Sequence, residues 1–352
     1  MTGEPLLLRA LRLEPVPRPP IWLMRQAGRY MAEYRAVRER VSFLELCRRP
    51  RLCAQVMADA VGRLDVDAAI IFSDILPILI PLGFDLDYLP GDGPVIRNPL
   101  RAEDDPARIP AAVDPDRMSF VFETVAETRR VIPRQKAVIG FAGAPFTLAS
   151  YAIEGGSSRL FARTKTLMRA APELWSLFMD RLADAVAESL LGQIDSGADA
   201  VQIFDSWAGA LAPDEYRTYV APHTERLLAR LKGKAPVIYF CAGNPALLPE
   251  AARLSADCLG IDWRISIREA CRVVGPKFAV QGNLDPTVLL TDKTTIRAEA
   301  ARILDAVGRR PGFIFNLGHG VLKETPVENA VELVRAVKEF AVSRPEISPE
   351  ES

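Results

Sequence analysis

The sequence predicts an α/β fold, a (β/α)8 barrel of the TIM type built as a single domain with an insertion after the second strand. Three observations lead there. Short apolar, β-branched runs recur along the 352 residues, segments of helical period separate them, and the runs number eight. Strands alternating with helices imply a parallel sheet, and a set of eight points to closure. Strand count alone leaves an open, doubly wound sheet as the alternative.

In chain order the predicted strands are residues 21–24, 68–72, 137–141, 200–204, 237–240, 258–261, 278–280 and 313–315. Leu52, Cys53, Val56, Met57, Ala60 and Val61 fall on one face of a helix, and Leu174, Leu177, Phe178, Leu182 and Val186 on one face of another. Ser42-Phe-Leu-Glu45 reads as a capping box, and Thr325-Pro326-Val-Glu328 as a second with proline in the first turn. Asp285-Pro286 is a further helix start. Residues 77–121, rich in Asp, Pro and Gly, break the rhythm and read as the insertion, a lid or small hairpin. Residues 1–19 form a lead-in, 20–342 the barrel, and 343–352 a tail of disordered composition.

Bulk properties narrow the chemistry. A 49% hydrophobic and 25% charged composition is that of a soluble globular protein. The net charge of −1 creates no global field for nucleic acid or an anionic membrane, so an acidic substrate must be drawn by local arginines. Cys47, Cys53, Cys241, Cys258 and Cys271 include no C-x-x-C pair, which favours reduced thiols and a cytoplasmic setting. The longest apolar run, residues 75–82, contains two prolines and is too short to span a bilayer. The N-terminus lacks the basic and apolar regions of a secretory signal. Two distant histidines offer no metal-site spacing, and Walker A, G-x-G-x-x-G and G-x-S-x-G patterns are absent.

The informative pattern lies at the strand ends. Arg25-Gln-Ala-Gly28-Arg29 comes after the first strand, Ser73-Asp74 after the second, Gly143-Ala-Pro145 after the third and Asp205-Ser206-Trp207 after the fourth. Asp262-Trp263, Gly282-Asn-Leu-Asp285 and Leu317-Gly-His319-Gly320 succeed later ones. In a β/α barrel the C-terminal ends of the strands form the active-site face. Arg25 and Arg29 are four apart, so a helical turn would bring both guanidinium forks to one side, where they suit carboxylates. Arg38 continues that segment as either a contact or a solvated charge. Asp74 and Ser206 each read either as site residues or as helix caps. Glycines flank His319 and permit close approach of a ligand. His223, beside Pro222, reads as structural.

These segments resemble a known family. Pro20-Ile-Trp-Leu-Met-Arg25-Gln-Ala-Gly-Arg29-Tyr30 is similar to the first signature of uroporphyrinogen decarboxylases, and residues 140–156, Gly140-Phe-Ala-Gly-Ala-Pro145 through Tyr151 to Gly156, to the second. Ile71-Phe-Ser-Asp74, Gln281-Gly-Asn-Leu-Asp-Pro286 and Asn316-Leu-Gly-His-Gly320 match further blocks in the family's order. The resemblance implies a β/α-barrel homodimer with facing clefts. It implies conversion of uroporphyrinogen III to coproporphyrinogen III, four acetates becoming methyls with loss of CO₂, without metal or organic cofactor. It implies a substrate-binding loop of Arg25, Gln26, Ala27, Gly28 and Arg29, with Arg38, Tyr151, Ser206 and His319 as further contacts. Asp74 would accept from the pyrrole N–H groups and share the catalytic role with Arg25, the first candidate proton donor. A bound water, alone or relaying from Tyr151, is the alternative donor. Trp207 stands where some members carry histidine, and Ala32 and Lys323 where proline is common. The rivals are a zinc-dependent methyltransferase of the same barrel superfamily and a non-catalytic porphyrin-binding protein.

Overall fold

The computed structural model describes residues 3–89, 93–104 and 106–342. Seven parallel strands form one sheet in the order β1 (Ala68–Ile70), β4 (Ala137–Gly143), β5 (Ala200–Asp205), β6 (Val237–Cys241), β7 (Cys258–Gly260), β8 (Ala279–Leu284) and β9 (Phe313–Leu317). All seven overlap predicted runs. Their residues are buried on both faces almost throughout, which is why the runs are continuously apolar rather than alternating. The remaining pair, β2 (Leu86–Leu89) and β3 (Gly93–Ile96), is an antiparallel hairpin inside the insertion, with Leu86 opposite Ile96.

The first predicted strand, residues 21–24, is not a strand. It makes one bridge, Ile21 to Phe315 of β9. Two prolines, Pro19 and Pro20, remove backbone donors just where a ladder would begin. The segment nevertheless fills the gap between β9 and β1. On one side Phe315 N–H donates to the Pro20 carbonyl at 2.8 Å, and Trp22 N–H to the Phe315 carbonyl at 3.4 Å. On the other, Asp67 N–H donates to the Ile21 carbonyl at 2.8 Å, and Ile21 N–H donates to the Asp67 carboxylate at 2.8 Å. Arg18 clamps that carboxylate with two bonds of 2.7 Å. A side chain thus replaces the missing backbone partner, and the barrel closes around seven strands and one irregular stave.

Polar side chains thread the apolar interior. Trp22 Nε1–H donates to Gln281 at 2.9 Å, and the Gln281 amide donates to Gln202 at 3.0 Å. These buried groups satisfy one another, as a low-dielectric interior requires. The outer layer contains the predicted helices, Pro50–Leu64 and Pro172–Asp195. The lead-in carries a short helix, Leu6–Leu11, with Leu7, Ala10 and Leu11 buried. Of the two capping boxes, Ser42 accepts from Glu45 N–H at 3.3 Å, but Glu45 turns to Arg49 instead of reaching back. The second does not form, since Thr325 Oγ1 is buried without a hydrogen-bond partner among the described residues. The Asp285 start holds, capping the short turn Pro286–Leu290 through Thr287 N–H. No helix among the described residues is long and apolar enough to cross a membrane. The tail at 343–352 lies outside the described residues.

Asp67→Ala would strand Arg18 and the Ile21 N–H together. The expected cost is roughly 3 kcal/mol, read as a lowered denaturation midpoint. A midpoint equal to the native one would mean that the seam does not depend on this carboxylate.

Candidate active site

Arg25 leaves the stave in the left-handed region, at φ 62°, so the expected helical turn over 25–29 is absent and the next helix begins at Ala32. A non-glycine residue there is strained and is held by its surroundings. Met24 N–H donates to Asn316 Oδ1 at 3.1 Å, and Val321 N–H donates to the Met24 carbonyl at 2.9 Å. Gln26 is fully buried and turned inward, donating to the Ala68 carbonyl at 3.1 Å and accepting from Leu23 N–H at 3.3 Å. Its side chain fastens the loop from inside, which leaves its backbone, not its side chain, for the expected substrate contact. Tyr30 Oη–H closes the turn on the Gln26 carbonyl at 2.6 Å. Arg25 and Arg29 are both exposed, so the two guanidinium groups do project outward, by a different backbone route.

Gly28 and Gly320 are required by close approach. A Cβ on Gly28 would meet the Arg25 carbonyl at 3.1 Å. One on Gly320 would meet Arg25 Cδ at 2.4 Å and Cγ at 2.7 Å, so the Arg25 side chain lies directly across Gly320. Ala27, just before Gly28 in the loop, is half-buried.

Asp74 lies beyond the end of β1 and is pulled two ways. Burial pushes its pKa up, while the Leu76 N–H at 2.9 Å, Tyr88 and the Arg25 guanidinium pull it down, with burial the largest influence. The Leu76 bond makes Asp74 a turn-former and not a helix cap, since the short turn that follows starts from Leu76. Tyr151 comes from the helix Pro145–Glu154 and feels both Asp74 and Arg25, and its phenol is pushed up to about 12, chiefly by burial. Trp207, after β5, stacks on Tyr151 with ring centroids 3.7 Å apart. His319 sits edge-on to Trp263 at 6.4 Å. Burial, reinforced by Arg25 and Arg264, pushes its imidazole down to about 4, so it is neutral at neutral pH.

Ser206 is half-buried just past the end of β5, and it is not a helix cap, since the short turn beyond starts from Trp207 and has no side-chain cap. Arg38 lies over the Phe43 ring at 5.6 Å and donates to the Val41 carbonyl at 2.7 Å, so part of its hydrogen-bonding capacity is already used. His223 is structural, paired with Asp180 at 2.7 Å. Two carboxylates beside the mouth are also structural. Asp205 accepts from Thr147 and Tyr239 and is pushed up to about 6 by burial, while Asp262 holds Gly243 N–H and Arg264.

Arg25 is therefore the hub, acting on Asp74, Tyr151 and His319 and lying across Gly320, residues from three separate parts of the chain. Sequence reasoning missed Tyr88, whose position in the hairpin carries no motif, and it noted Trp207 only as standing where some family members carry histidine. Trp207 could have been found from its place directly after a strand end.

With only two histidines in the chain, proton titration by NMR can isolate His319. Its midpoint is expected near 4. Because the folded pKa is depressed from 6.5, the stability associated with this group is present above 6.5 and lost as pH falls toward 4. A midpoint near 6.5 would mean a solvated ring that neither burial nor Arg25 influences.

Comparison with known proteins matches this architecture to relatives. Residues 2–340 match the family model described as uroporphyrinogen decarboxylase (URO-D). Relatives named uroporphyrinogen decarboxylase include those of Chloroflexus aurantiacus, 49% identical over 95% of each chain, and Thermus thermophilus, 47% identical over 96% of this chain and 98% of the relative. Among solved structures, a methyltransferase from Methanosarcina mazei has the same fold, with a TM-score of 0.79 over 95% of this chain and 97% of its own, at 20% identity. A putative vitamin-B12-independent methionine synthase from Listeria monocytogenes is more distant, at a TM-score of 0.59 and 12% identity over 92% of this chain and 96% of its own. At such low identity the likeness to the methyltransferases is one of fold alone. With the match spanning almost the whole chain and the signature loops gathered at one barrel mouth, this chain belongs to the uroporphyrinogen decarboxylase family.

Proposed function

We propose that the chain decarboxylates the four acetate side chains of uroporphyrinogen III, giving coproporphyrinogen III and CO₂, at the mouth built around Arg25. The observation that carries this reading is the meeting of Asp74, Arg25 and Tyr151 beside the exposed Arg29 loop. Cations at the loop suit the substrate's carboxylates, and a single carboxylate suits its pyrrole N–H groups.

Loss of CO₂ from an acetate on an electron-rich pyrrole needs an acceptor for the bond's electron pair. Protonating the ring carbon beside the acetate-bearing one creates an iminium-like cation. The pair from the breaking C–CO₂ bond flows into it and CO₂ departs. A proton then adds to the former side-chain carbon to give the methyl, and the ring carbon returns the proton it took. Each cycle consumes one proton and one carboxylate. Asp74 stabilises the cation through the N–H groups it binds, an arrangement in which preorganised charge is worth several kcal/mol.

Proton donation falls to Arg25, alone or through a bound water. A guanidinium is a weak acid with pKa above about 12, so its service is brief and depends on close placement. Tyr151, pushed up to about 12, is suited to relay through water rather than to ionise. His319, neutral, serves as a hydrogen-bonding contact. Arg29, Arg38, Ser206 and the Ala27–Gly28 backbone complete the proposed substrate contacts. The family resemblance also carries a homodimer in the cytoplasm that uses neither metal nor organic cofactor. The methyltransferase alternative asks for a Cys/His ligand set, and among the described residues no three His, Cys, Asp or Glu side chains are grouped so as to hold a metal.

The test is anaerobic turnover of uroporphyrinogen III in EDTA, with products separated by carboxylate number. Products with seven down to four carboxylates are expected, and Asp74→Asn should lose about 100-fold or more in turnover while remaining folded. Near-normal turnover in that variant would remove Asp74 from the mechanism. Tetrapyrrole binding without any turnover by the native protein would favour the non-catalytic binder. Gly320→Ala should push Arg25 aside and lower kcat/KM by roughly 10- to 100-fold with little change in melting temperature. An unchanged kcat/KM would mean that the Arg25 placement is not limiting.

A further inference from the structure

The hairpin of the insertion brings one polar group toward Asp74 that no signature loop provides. Tyr88 lies on β2, and its ring packs on Phe43 with centroids 5.1 Å apart. Phe43 packs in turn on Phe72 at 6.1 Å, two residues before Asp74, and carries Arg38 over its face. This aromatic row ties the insertion to the β1 end. The hairpin is fastened from behind as well, with Ile96 N–H donating to the Gly155 carbonyl at 2.8 Å and Leu100 N–H to the Ala152 carbonyl at 2.9 Å. Gly155 and Ala152 belong to the end of the helix that carries Tyr151.

The Tyr88 hydroxyl is buried and makes no well-formed hydrogen bond among the described residues, although it is near enough to the Asp74 carboxylate to favour its ionised form. A buried hydroxyl left unpaired is costly, and phenylalanine would fill the same space without that cost. Its ring packing therefore does not explain the oxygen. We propose that Tyr88 is a positioning residue whose hydroxyl turns to donate to the Asp74 carboxylate and holds it facing the bound tetrapyrrole. This rests on the proposed role of Asp74 in decarboxylation. Tyr88 itself touches no reacting atom.

The groups that face Asp74 come from four elements: Arg25 from the first loop, Tyr88 from the hairpin, Tyr151 from its helix, and Cys47 from the helix Phe43–Cys47. Burial raises both phenols and the Cys47 thiol, so at neutral pH only Arg25 among these four is charged. A donor removed from Asp74 should thus appear as a change in the titration of Asp74 itself.

The experiment is the pH profile of kcat/KM for uroporphyrinogen III with native protein, Tyr88→Phe and Asp74→Asn, together with melting temperatures. Losing a donor to the ionised form raises the Asp74 pKa, so the acid limb of Tyr88→Phe should move to higher pH. Its kcat/KM should drop several-fold more on that limb than on the plateau, with a melting temperature equal to or above the native one. Substrate titration is common to both proteins and cancels in the comparison. A Tyr88→Phe profile that overlays the native one while Asp74→Asn is inactive would overturn the proposal and leave the role of Asp74 standing. An active Asp74→Asn would overturn both. A uniform drop at every pH with a lower melting temperature would make Tyr88 a packing residue only.

Discussion

A β/α barrel removes its sheet edges only if the last strand meets the first, and here the meeting is made by Asp67. Neither β9 nor β1 pairs directly with the other in the ladder. The segment between them begins with two prolines and offers too few backbone donors to act as a full strand. The Asp67 carboxylate accepts the Ile21 N–H and is itself held by Arg18. The Arg25 loop, next in the chain, depends on where this stave ends. A regular strand would have carried its ladder through residue 24 and delivered Arg25 in an extended conformation. The irregular stave lets the chain turn left-handed there.

The consequence is electrostatic as much as geometric. Arg25 acts on a half-buried carboxylate and a half-buried imidazole, favouring the deprotonated form of each. It favours the ionised form of Asp74 and disfavours the protonated form of His319. One cation thereby works against burial at the carboxylate and with burial at the imidazole, a division that suits a substrate bearing both acidic side chains and N–H donors. Gly320 is the condition for this, since any Cβ there would occupy the space of the arginine stem. The strain at Arg25 is offset by a buried glutamine, an asparagine and a backbone bond from Val321, which hold it from three directions.

Acidic residues at the mouth separate by what their oxygens already accept. Asp205 and Asp262 stand in positions that sequence alone treats much like that of Asp74, each at or just past the end of an apolar strand. In the structure they are enclosed by tyrosine, threonine, backbone and arginine donors, and they fix the strand ends. Asp74 instead feels the charge of Arg25 and acts on the Tyr151 phenol without being bonded to either. Position relative to a strand selects candidates, and hydrogen-bond partners decide among them.

The strand rhythm, the insertion and the polar residues at strand ends were legible because they are local properties. Burial on both faces makes a strand continuously apolar, and a helix writes its face every three or four residues. The signature loops were equally legible, and with them the family. The stave was not, because whether residues 21–24 pair along a ladder depends on Asp67 and Phe315, which lie far off in the chain. The inward turn of Gln26 was hidden for the same reason, since its partner is the Ala68 carbonyl. So were the lodging of Arg25 on Gly320, the stacking of Trp207 on Tyr151 and the approach of Tyr88 to Asp74. Each joins elements that meet only when the barrel closes, and no periodicity in the chain encodes a distance across it.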